Sequence, residues 1–460
     1  MKLALATSAL AWGECRLVSL VFLLRVVIVS LTVPVLTPVL CQRPEHNVSS
    51  SPAGITRCRR THVEIVVSPL VSKSAIRELQ FFWETETVTP GDWVGFYFGH
   101  PLDAPPHLLI GVPVDEPLGW HRTLFTENHT DPDQLGYHKK CLGYWVAYYR
   151  AGNNDTAEAT NCLHTNPRWM EEMKSSLSGM QLRNIFLPGT HDSGAYTEYD
   201  PHTGENLIQK YVYTQDETIL GQMIYGARYF DLRVGNYNRS SSDTWWVNHG
   251  LSRTHPLREV IHDIKQFLDN TQEIILLDFH EFPVGFKSKK NLPHDSLVKY
   301  LLAHFRDYLV PASVSWAASV GDIWNSGRRL IISYNDEDVV DRYGDSLWLP
   351  VHQKWGNVQN LDNLKNYLDL VVKSRPAYQW AAMAQMTPQT MDVILNRFDG
   401  LRKMAHTVNG AVTMWFRGSW GRTCNIVAVD FLRSTGVVEA AIQWNKRRSK
   451  RTNCDYEQYP

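Results

Sequence analysis

After residue 166 the chain settles into a rhythm that few folds accommodate: short apolar runs alternate with longer stretches of helical period. The runs cover 184–187, 227–233, 245–248, 273–280, 329–334, 347–351, 381–385 and 425–431. Between them, 257–270 places Leu257, Val260, Ile261, Ile264, Phe267 and Leu268 at the three-and-four spacing of an amphipathic helix, and 295–309 reads as another. Eight strands alternating with helices over about 290 residues is the count of a (β/α)8 TIM-type barrel. An open doubly wound sheet is the alternative, but Gly-x-Gly-x-x-Gly and Walker patterns are absent.

Upstream the period is different. His62-Val-Glu-Ile-Val-Val-Ser68 alternates, and Thr89-Pro-Gly-Asp-Trp-Val-Gly-Phe-Tyr-Phe98 is a turn signal followed by a strand. Leu108-Leu-Ile-Gly-Val-Pro113 and Gly143-Tyr-Trp-Val-Ala-Tyr-Tyr149 continue the pattern. Short β-rich segments separated by turn residues predict a small all-β sandwich ahead of the barrel. The polar stretch 153–166 is the expected linker. The stretch from Thr89 to Tyr97, with Tyr144-Trp-Val-Ala-Tyr-Tyr149, resembles the immunoglobulin-like sandwich of SKICH-type domains. The organisation expected is a signal peptide over 1–41, the sandwich over 42–165, and the barrel over 166–460 with a basic, solvated C-terminal tail.

The first 41 residues set the compartment. A basic start and an apolar run to Leu40 precede polar sequence, the pattern of a secretory signal. The alternative is an uncleaved membrane anchor. The apolar stretch 26–40 is short for a span and carries Pro34 and Pro38. Sequons at Asn47, Asn128, Asn154 and Asn238 fit the same route. Seven cysteines include Cys141, Cys162, Cys424 and Cys454, without zinc-type spacing. The expected bridges are Cys141–Cys162 or Cys58–Cys162, together with Cys424–Cys454. A net charge of -1 excludes a polybasic nucleic-acid binder. With 16 Trp, 20 Tyr and 16 Phe, the chain leans toward a large enzyme or a carbohydrate- or lipid-facing protein.

In a barrel the chemistry gathers at the C-terminal ends of the strands. Those ends read Leu187-Pro-Gly-Thr-His191-Asp192-Ser193, Tyr229-Phe-Asp231-Leu-Arg233, Val247-Asn-His249-Gly250, Leu277-Asp278-Phe-His280-Glu281 and Ile426-Val-Ala-Val-Asp430. Charge after an apolar strand is costly to bury unless it is paired. Taken singly, each group has a structural explanation: Asp231 and Arg233 as an ion pair, Asp278 and His280 as rim polarity. Taken together, two histidines suit a concerted acid/base displacement, an arginine between them suits a phosphoryl group, and carboxylates suit the holding of imidazoles. Phosphodiester cleavage is the reaction class this composition favours.

The motifs around His191, Gln215, the run from Gly226 to Arg233, and Asn248-His249-Gly250 resemble the X region of phosphatidylinositol-specific phospholipases C. The likeness is to animal PI-PLC X domain-containing proteins and to the bacterial enzymes. It spans roughly 167–445 and includes the strand that ends in Asp430. The resemblance implies His191 as general base toward an inositol 2-hydroxyl, and His249 as general acid toward the diacylglycerol oxygen. It implies Arg233 as the phosphate's counter-charge, Asp430 supporting His191 and Asp192 supporting His249. Asp231 joins the acid site or orients Arg233. Asp278, His280 and Tyr334 are expected to face the substrate.

Arg233 stands where the large eukaryotic enzymes have a metal-binding carboxylate, so catalysis without a metal cofactor is expected. The cluster Asp278, His280 and Glu281 leaves room for calcium. The resemblance thus implies a secreted phosphoric diester hydrolase acting on a phosphoinositide or GPI-type lipid, in peripheral contact with a membrane. The alternative is a catalytically silent barrel that binds lipid or glycan. A glycerophosphodiester enzyme would want a Glu/Asp metal set, which Arg233 opposes.

Overall fold

A computed structural model describes residues 61–450 apart from 104, 154–155, 238–242, 288–291, 375 and 377. The expected signal peptide over 1–41, together with Cys15, Cys41, Cys58, Cys454, Asn47, Asn154 and Asn238, lies outside the described residues.

The N-terminal part holds β1 (His62–Val67), β2 (Glu78–Glu84), β3 (Trp93–Phe98), β4 (His107–Pro113), β5 (Leu118–Thr126), β6 (Cys141–Tyr149) and β7 (Ala159–His164). They form two antiparallel sheets, in the orders β1-β2-β5 and β4-β3-β6-β7. Phe81 and Phe96, one from each sheet, stack at 5.7 Å in the shared core with Leu79, Val94, Val146 and Tyr148. Period-two alternation sends the next residue, Phe82, to the opposite face of β2. There it stacks on Trp120 at 4.5 Å and packs against Met414 of the helix Leu401–Arg417. Every residue of β2 is therefore buried, on both faces.

The expected linker 153–166 instead contains β7. Cys162 lies opposite Trp145 and is bridged to Cys141, so the segment is held as an edge strand. Asn128 is exposed, as a glycan acceptor must be.

The remainder carries β8 (Leu187–Thr190), β9 (Tyr229–Asn236), β10 (Trp245–His249), β11 (Ser252–Pro256), β12 (Ile275–Glu281), β13 (Leu330–Tyr334), β14 (His352–Trp355), β15 (Trp380–Met383) and β16 (Ile426–Val429). Helices intervene, and the whole is a mixed α/β fold. The amphipathic helix expected from the sequence is present as Leu257–Asn270, and its buried stripe is the one read from the spacing. Parallel pairing runs β13-β12-β9-β8-β16-β15-β14.

Among the described residues these strands do not complete the closed eight-stranded ladder expected from the sequence. Residues 245–248 do not make a parallel barrel strand. Only residues 237–244 separate β9 from β10, too few for a crossover, so β10 returns antiparallel to β9. From 347–351 a single isolated bridge, Ser333 to Trp348, reaches β13, and the strand proper begins at His352. No ladder joins β13 to β14 among the described residues.

The basic C-terminal segment is not a solvated tail either. Residues up to 449 belong to the helix Val437–Ser449, and Arg448 donates at 2.7 Å to the carbonyls of Asn184 and Cys424. Cys424 is buried with a free thiol, which burial pushes up to about 12. Its expected partner, Cys454, lies outside the described residues. Among the described residues no helix is long and apolar enough to cross a membrane.

Candidate active site

Strand register builds the first half of the site. β8 and β16 pair with Thr190 opposite Val429, so the next residue of each, His191 and Asp430, leave the sheet side by side. The His191 amide donates to the Val429 carbonyl at 3.0 Å, and His191 Nδ1 lies 2.7 Å from Asp430 Oδ1. Gln215 locks both segments: its Nε2 donates to the carbonyls of His191 (3.1 Å) and Val429 (2.9 Å), while its Oε1 accepts from the Leu432 amide (3.1 Å).

On β9, Asp231 and Arg233 share one face as i and i+2. Arg233 Nη2 donates to Asp231 Oδ2 at 3.1 Å and to His191 Nε2 at 2.8 Å. A guanidinium has no acceptor, so His191 Nε2 must carry its lone pair there. His191 is therefore neutral in this arrangement, with its proton on Nδ1 facing Asp430.

The second half comes from the reversal at β10, which brings His249 back toward the strand ends. The rings of His191 and His249 lie 6.5 Å apart, nearly perpendicular at 85°. His249 Nδ1 donates to the Val212 carbonyl at 2.6 Å, leaving Nε2 for chemistry. Asp192 Oδ2 is 3.8 Å from His249 Nδ1 and 3.6 Å from Arg233 Nη1. Asp192 adopts a left-handed backbone, φ 39°, and its amide donates to Asp231 Oδ2 at 3.0 Å. Both its carboxylate oxygens are buried without a hydrogen-bond partner.

Burial penalises the charged forms of His191, Asp192, Asp231 and His280, and the balance against their neighbours differs from one to the next. For His191 burial opposes the charged form, but the charge and hydrogen bond of Asp430 outweigh it, and its pKa stands above the ordinary value. Burial pushes Asp192 up, and Arg233 and His249 reverse this only in part. Burial would also raise Asp231, yet Arg233, His191 and His280 hold it well below the usual carboxylate range. Burial opposes the charged form of His280 as well, but Asp278 and Asp231 leave it raised.

These groups open on a cavity of about 280 Å3. His191, Arg233, His249, Asp430, His280 and Glu281 form its charged side, and Trp355, Met383, Met386, Val393 and Leu401 form an apolar side. Asp192 and Asp231 stand one layer behind.

Two of the residues expected at the substrate are elsewhere. Asp278 is fully buried beneath the cavity, accepting from Tyr229 (2.7 Å), Ser333 (3.1 Å) and Gln353 (3.2 Å). Tyr334 is fully buried, away from the cavity lining; its hydroxyl shares a hydrogen bond of 2.8 Å with His294 Nδ1, and its ring packs on Phe279 and Phe282. It is an inward side chain of β13 and serves the core. Among the described residues no group of three or more His, Cys, Asp or Glu side chains is placed to hold a metal ion.

Sequence reasoning did not find the Val212 carbonyl, because a backbone acceptor carries no residue signature. It also missed the apolar wall, whose Met, Leu and Val residues look like core.

No protein-family model matches the chain. It is similar to curated relatives named PI-PLC X domain-containing protein 1. The zebrafish (Danio rerio) protein is 25% identical over 289 residues, 57% of this chain and 91% of its own length. The human (Homo sapiens) protein is 25% identical over 312 residues, 62% of this chain and 94% of its own. Among solved structures, a phosphatidylinositol-specific phospholipase C from Staphylococcus aureus aligns with a TM-score of 0.47 at 16% identity, covering 61% of this chain and 97% of that one. The resemblance to the PI-PLC X-domain proteins, drawn from the motifs around His191, Arg233 and His249, therefore extends over nearly the whole of those relatives.

Proposed function

We propose that this chain is a phosphoric diester hydrolase that cleaves phosphatidylinositol or a related inositol glycolipid by paired histidine catalysis. The observation that carries the reading is the facing pair of imidazoles, 6.5 Å apart, with Arg233 at the same cavity. Each ring has its Nδ1 engaged, so Nε2 is the nitrogen for chemistry, held by Arg233 in His191. That arrangement suits one proton taken and one given in a single displacement.

The substrate hydroxyl displaces Arg233 from His191 Nε2 and gives its proton to that nitrogen. The guanidinium turns to the phosphate, where its charge offsets what develops in the transition state. The 2-hydroxyl oxygen bonds to phosphorus. The bond from phosphorus to the diacylglycerol oxygen breaks, and that oxygen takes the proton of His249 Nε2. The products are a cyclic inositol phosphate and diacylglycerol. Asp430 stabilises the imidazolium formed at His191, and Asp192 faces the imidazolium spent at His249. Glu281 and His280, at the charged edge of the cavity, are placed for headgroup hydroxyls.

Exposed apolar side chains adjoin the site in sequence, which supports lipid access from a membrane. Trp355 lines the cavity and is half exposed. Met391, Ile394 and Leu395 flank Val393; Leu207 and Ile208 precede Tyr211; Leu251 follows His249 by two positions. The Cys141–Cys162 bridge supports a secretory route.

The test is turnover of labelled phosphatidylinositol and of a GPI-anchored substrate by the purified protein, with and without chelator. The reading expects a cyclic phosphate product that survives chelation and disappears in His191→Ala and His249→Ala. Folded protein that turns over no inositol lipid points to the binding alternative. Activity lost on chelation removes Arg233 from the role of counter-charge.

A further inference from the structure

The N-terminal sheets touch the rest of the chain at a ring of four charges. Arg77, just before β2, donates through Nη2 to Glu127 Oε1 at 2.8 Å and to Glu217 Oε1 at 2.5 Å. Arg433 donates through Nη2 to Glu127 Oε2 at 2.8 Å, and its Nη1 lies 3.3 Å from Glu217 Oε1. Arg77 and Glu127 belong to the sandwich part; Glu217 and Arg433 belong to the part that carries the cavity. The side chains are 4–9% exposed, two positive and two negative. Arg433 also lies 3.8 Å over the ring of Tyr225.

A buried, balanced set like this contributes little net stability over apolar packing. Its geometric demand is strict, and it is met at an informative place. Glu217 is two residues past Gln215, the side chain that fixes the His191 carbonyl and the Val429 carbonyl. Arg433 is three residues past Asp430, in a turn whose first residue, Phe431, has a left-handed backbone of φ 50°. The same two segments are tied to each other: the Phe431 amide donates to the Thr214 carbonyl at 2.7 Å, and the Leu432 amide to Gln215 Oε1 at 3.1 Å. Arg402 adds a second tie, holding Asp216 at 2.6 Å, the Pro69 carbonyl of the sandwich part at 3.2 Å, and the Phe431 ring at 4.7 Å.

We infer that the N-terminal sheets act as a brace for the catalytic floor: through Arg77 and Glu127 they clamp the two backbone segments that present Gln215 and Asp430, and so set the His191–Asp430 geometry. Arg77, Glu127, Glu217 and Arg433 are positioning residues. They do not line the cavity with His191 and His249. The inference rests on the reading of His191 as the base, but its geometric core does not require turnover.

The experiment replaces Arg77 and Glu127 together by Gln in the full chain, which keeps the charge balance and leaves the Glu217–Arg433 pair. The comparison variant is Glu84→Gln, which weakens another contact between the same two parts, Glu84 to Arg417 at 3.3 Å. Two readouts are taken: steady-state kinetics on phosphatidylinositol vesicles, and the titration of the His191 imidazole by NMR. The groups that face His191 are Asp430, Arg233 and Asp231, with the His249 ring 6.5 Å away. The expected result for the double variant is a kcat lower by about 10–100-fold with KM within about twofold, the scale set by small misplacements of a catalytic group. Its His191 titration moves down as Asp430 loosens, while Glu84→Gln moves neither readout. A folded double variant with unchanged kcat and unchanged His191 titration overturns the brace. If the parent protein turns over no inositol lipid, the phospholipase reading fails, and the His191 titration alone decides the brace.

Discussion

The two histidines of the cavity are held by different physics. His191 sits between two charges, Asp430 at 2.7 Å and Arg233 at 2.8 Å, and its backbone is pinned by Gln215. His249 leans on one neutral acceptor, the Val212 carbonyl at 2.6 Å, with its carboxylate at 3.8 Å. The residues after it turn out to solvent: Gly250 has φ 54° and Leu251 is 82% exposed. A base must gain a proton against a nearby guanidinium, so a hydrogen-bonded carboxylate is needed to stabilise the product imidazolium. An acid must arrive charged and leave neutral, and a carboxylate held too close would keep the proton. The difference in grip matches the difference between the tasks proposed for the two rings.

The largest effects remove the rings themselves. His191→Ala and His249→Ala each lower kcat on phosphatidylinositol by about 10²–10⁴-fold, the usual contribution of a positioned acid or base. Equal losses fit a concerted pair; a loss confined to one variant breaks the symmetry of the mechanism. Next comes Arg233→Ala, expected at about 10²–10³-fold, as for loss of an electrostatic group aimed at developing charge. Arg233→Lys keeps the charge but not the fork, whose Nη2 meets His191 and Asp231 while Nη1 faces Asp192, so it rescues only part of the rate. Full rescue by lysine would show that a point charge suffices.

The same asymmetry explains what was legible in the sequence. His191, Arg233, His249 and Asp430 each follow an apolar run, and charge placed directly after a buried strand is visible as pattern. Asp278 follows such a run too, yet lies below the cavity, because pattern does not say whether a polar side chain meets ligand or a Tyr–Ser–Gln network. Tyr334 ends a strand and faces the core, since an aromatic ring is as welcome in packing as at a pocket. The parallel strands around β8, β9, β12 and β13 were readable from apolar runs. The reversal at β10 was not, because an apolar run has no direction, and only the short connection 237–244 carried the hint. Gln215 stood in the motif without a role, and the Val212 carbonyl has no side-chain signal at all.

Smaller substitutions separate the two supports. Asp430→Asn keeps the shape and removes the charge that holds the His191 pKa above its ordinary value. The low-pH limb of kcat/KM, which reports protonation of the free base, then moves to lower pH, and kcat falls by about 10–100-fold. A limb that stays in place means His191 is not the group it reports. Asp192→Asn costs less rate, because the Val212 carbonyl still orients His249. Its stability effect has the opposite sign. The Asp192 pKa is raised on folding, so the charged form is penalised in the folded state. That penalty is absent below the unfolded pKa and grows as pH rises from the unfolded value toward the folded one. Asp192→Asn therefore raises Tm at pH 7 and leaves it nearly unchanged at pH 3, whereas a drop at pH 7 would mean that Arg233 needs the charge more than burial resists it.

The smallest expected effect tests whether the exposed turn beside His249 is functional. Gly250 has φ 54° and open space where a Cβ would stand, so Gly250→Ala meets no clash and only the left-handed backbone resists it. The cost is about 1 kcal/mol. The strain falls on the turn after His249, leaving the His191–Asp430–Gln215 arrangement untouched. If His249 needs a mobile turn to release its proton and let product leave, kcat drops a few-fold while the low-pH limb assigned to His191 stays where it was. If kcat is unchanged and only Tm falls, the glycine serves the turn alone, and the acid is held as firmly as the base by its single carbonyl.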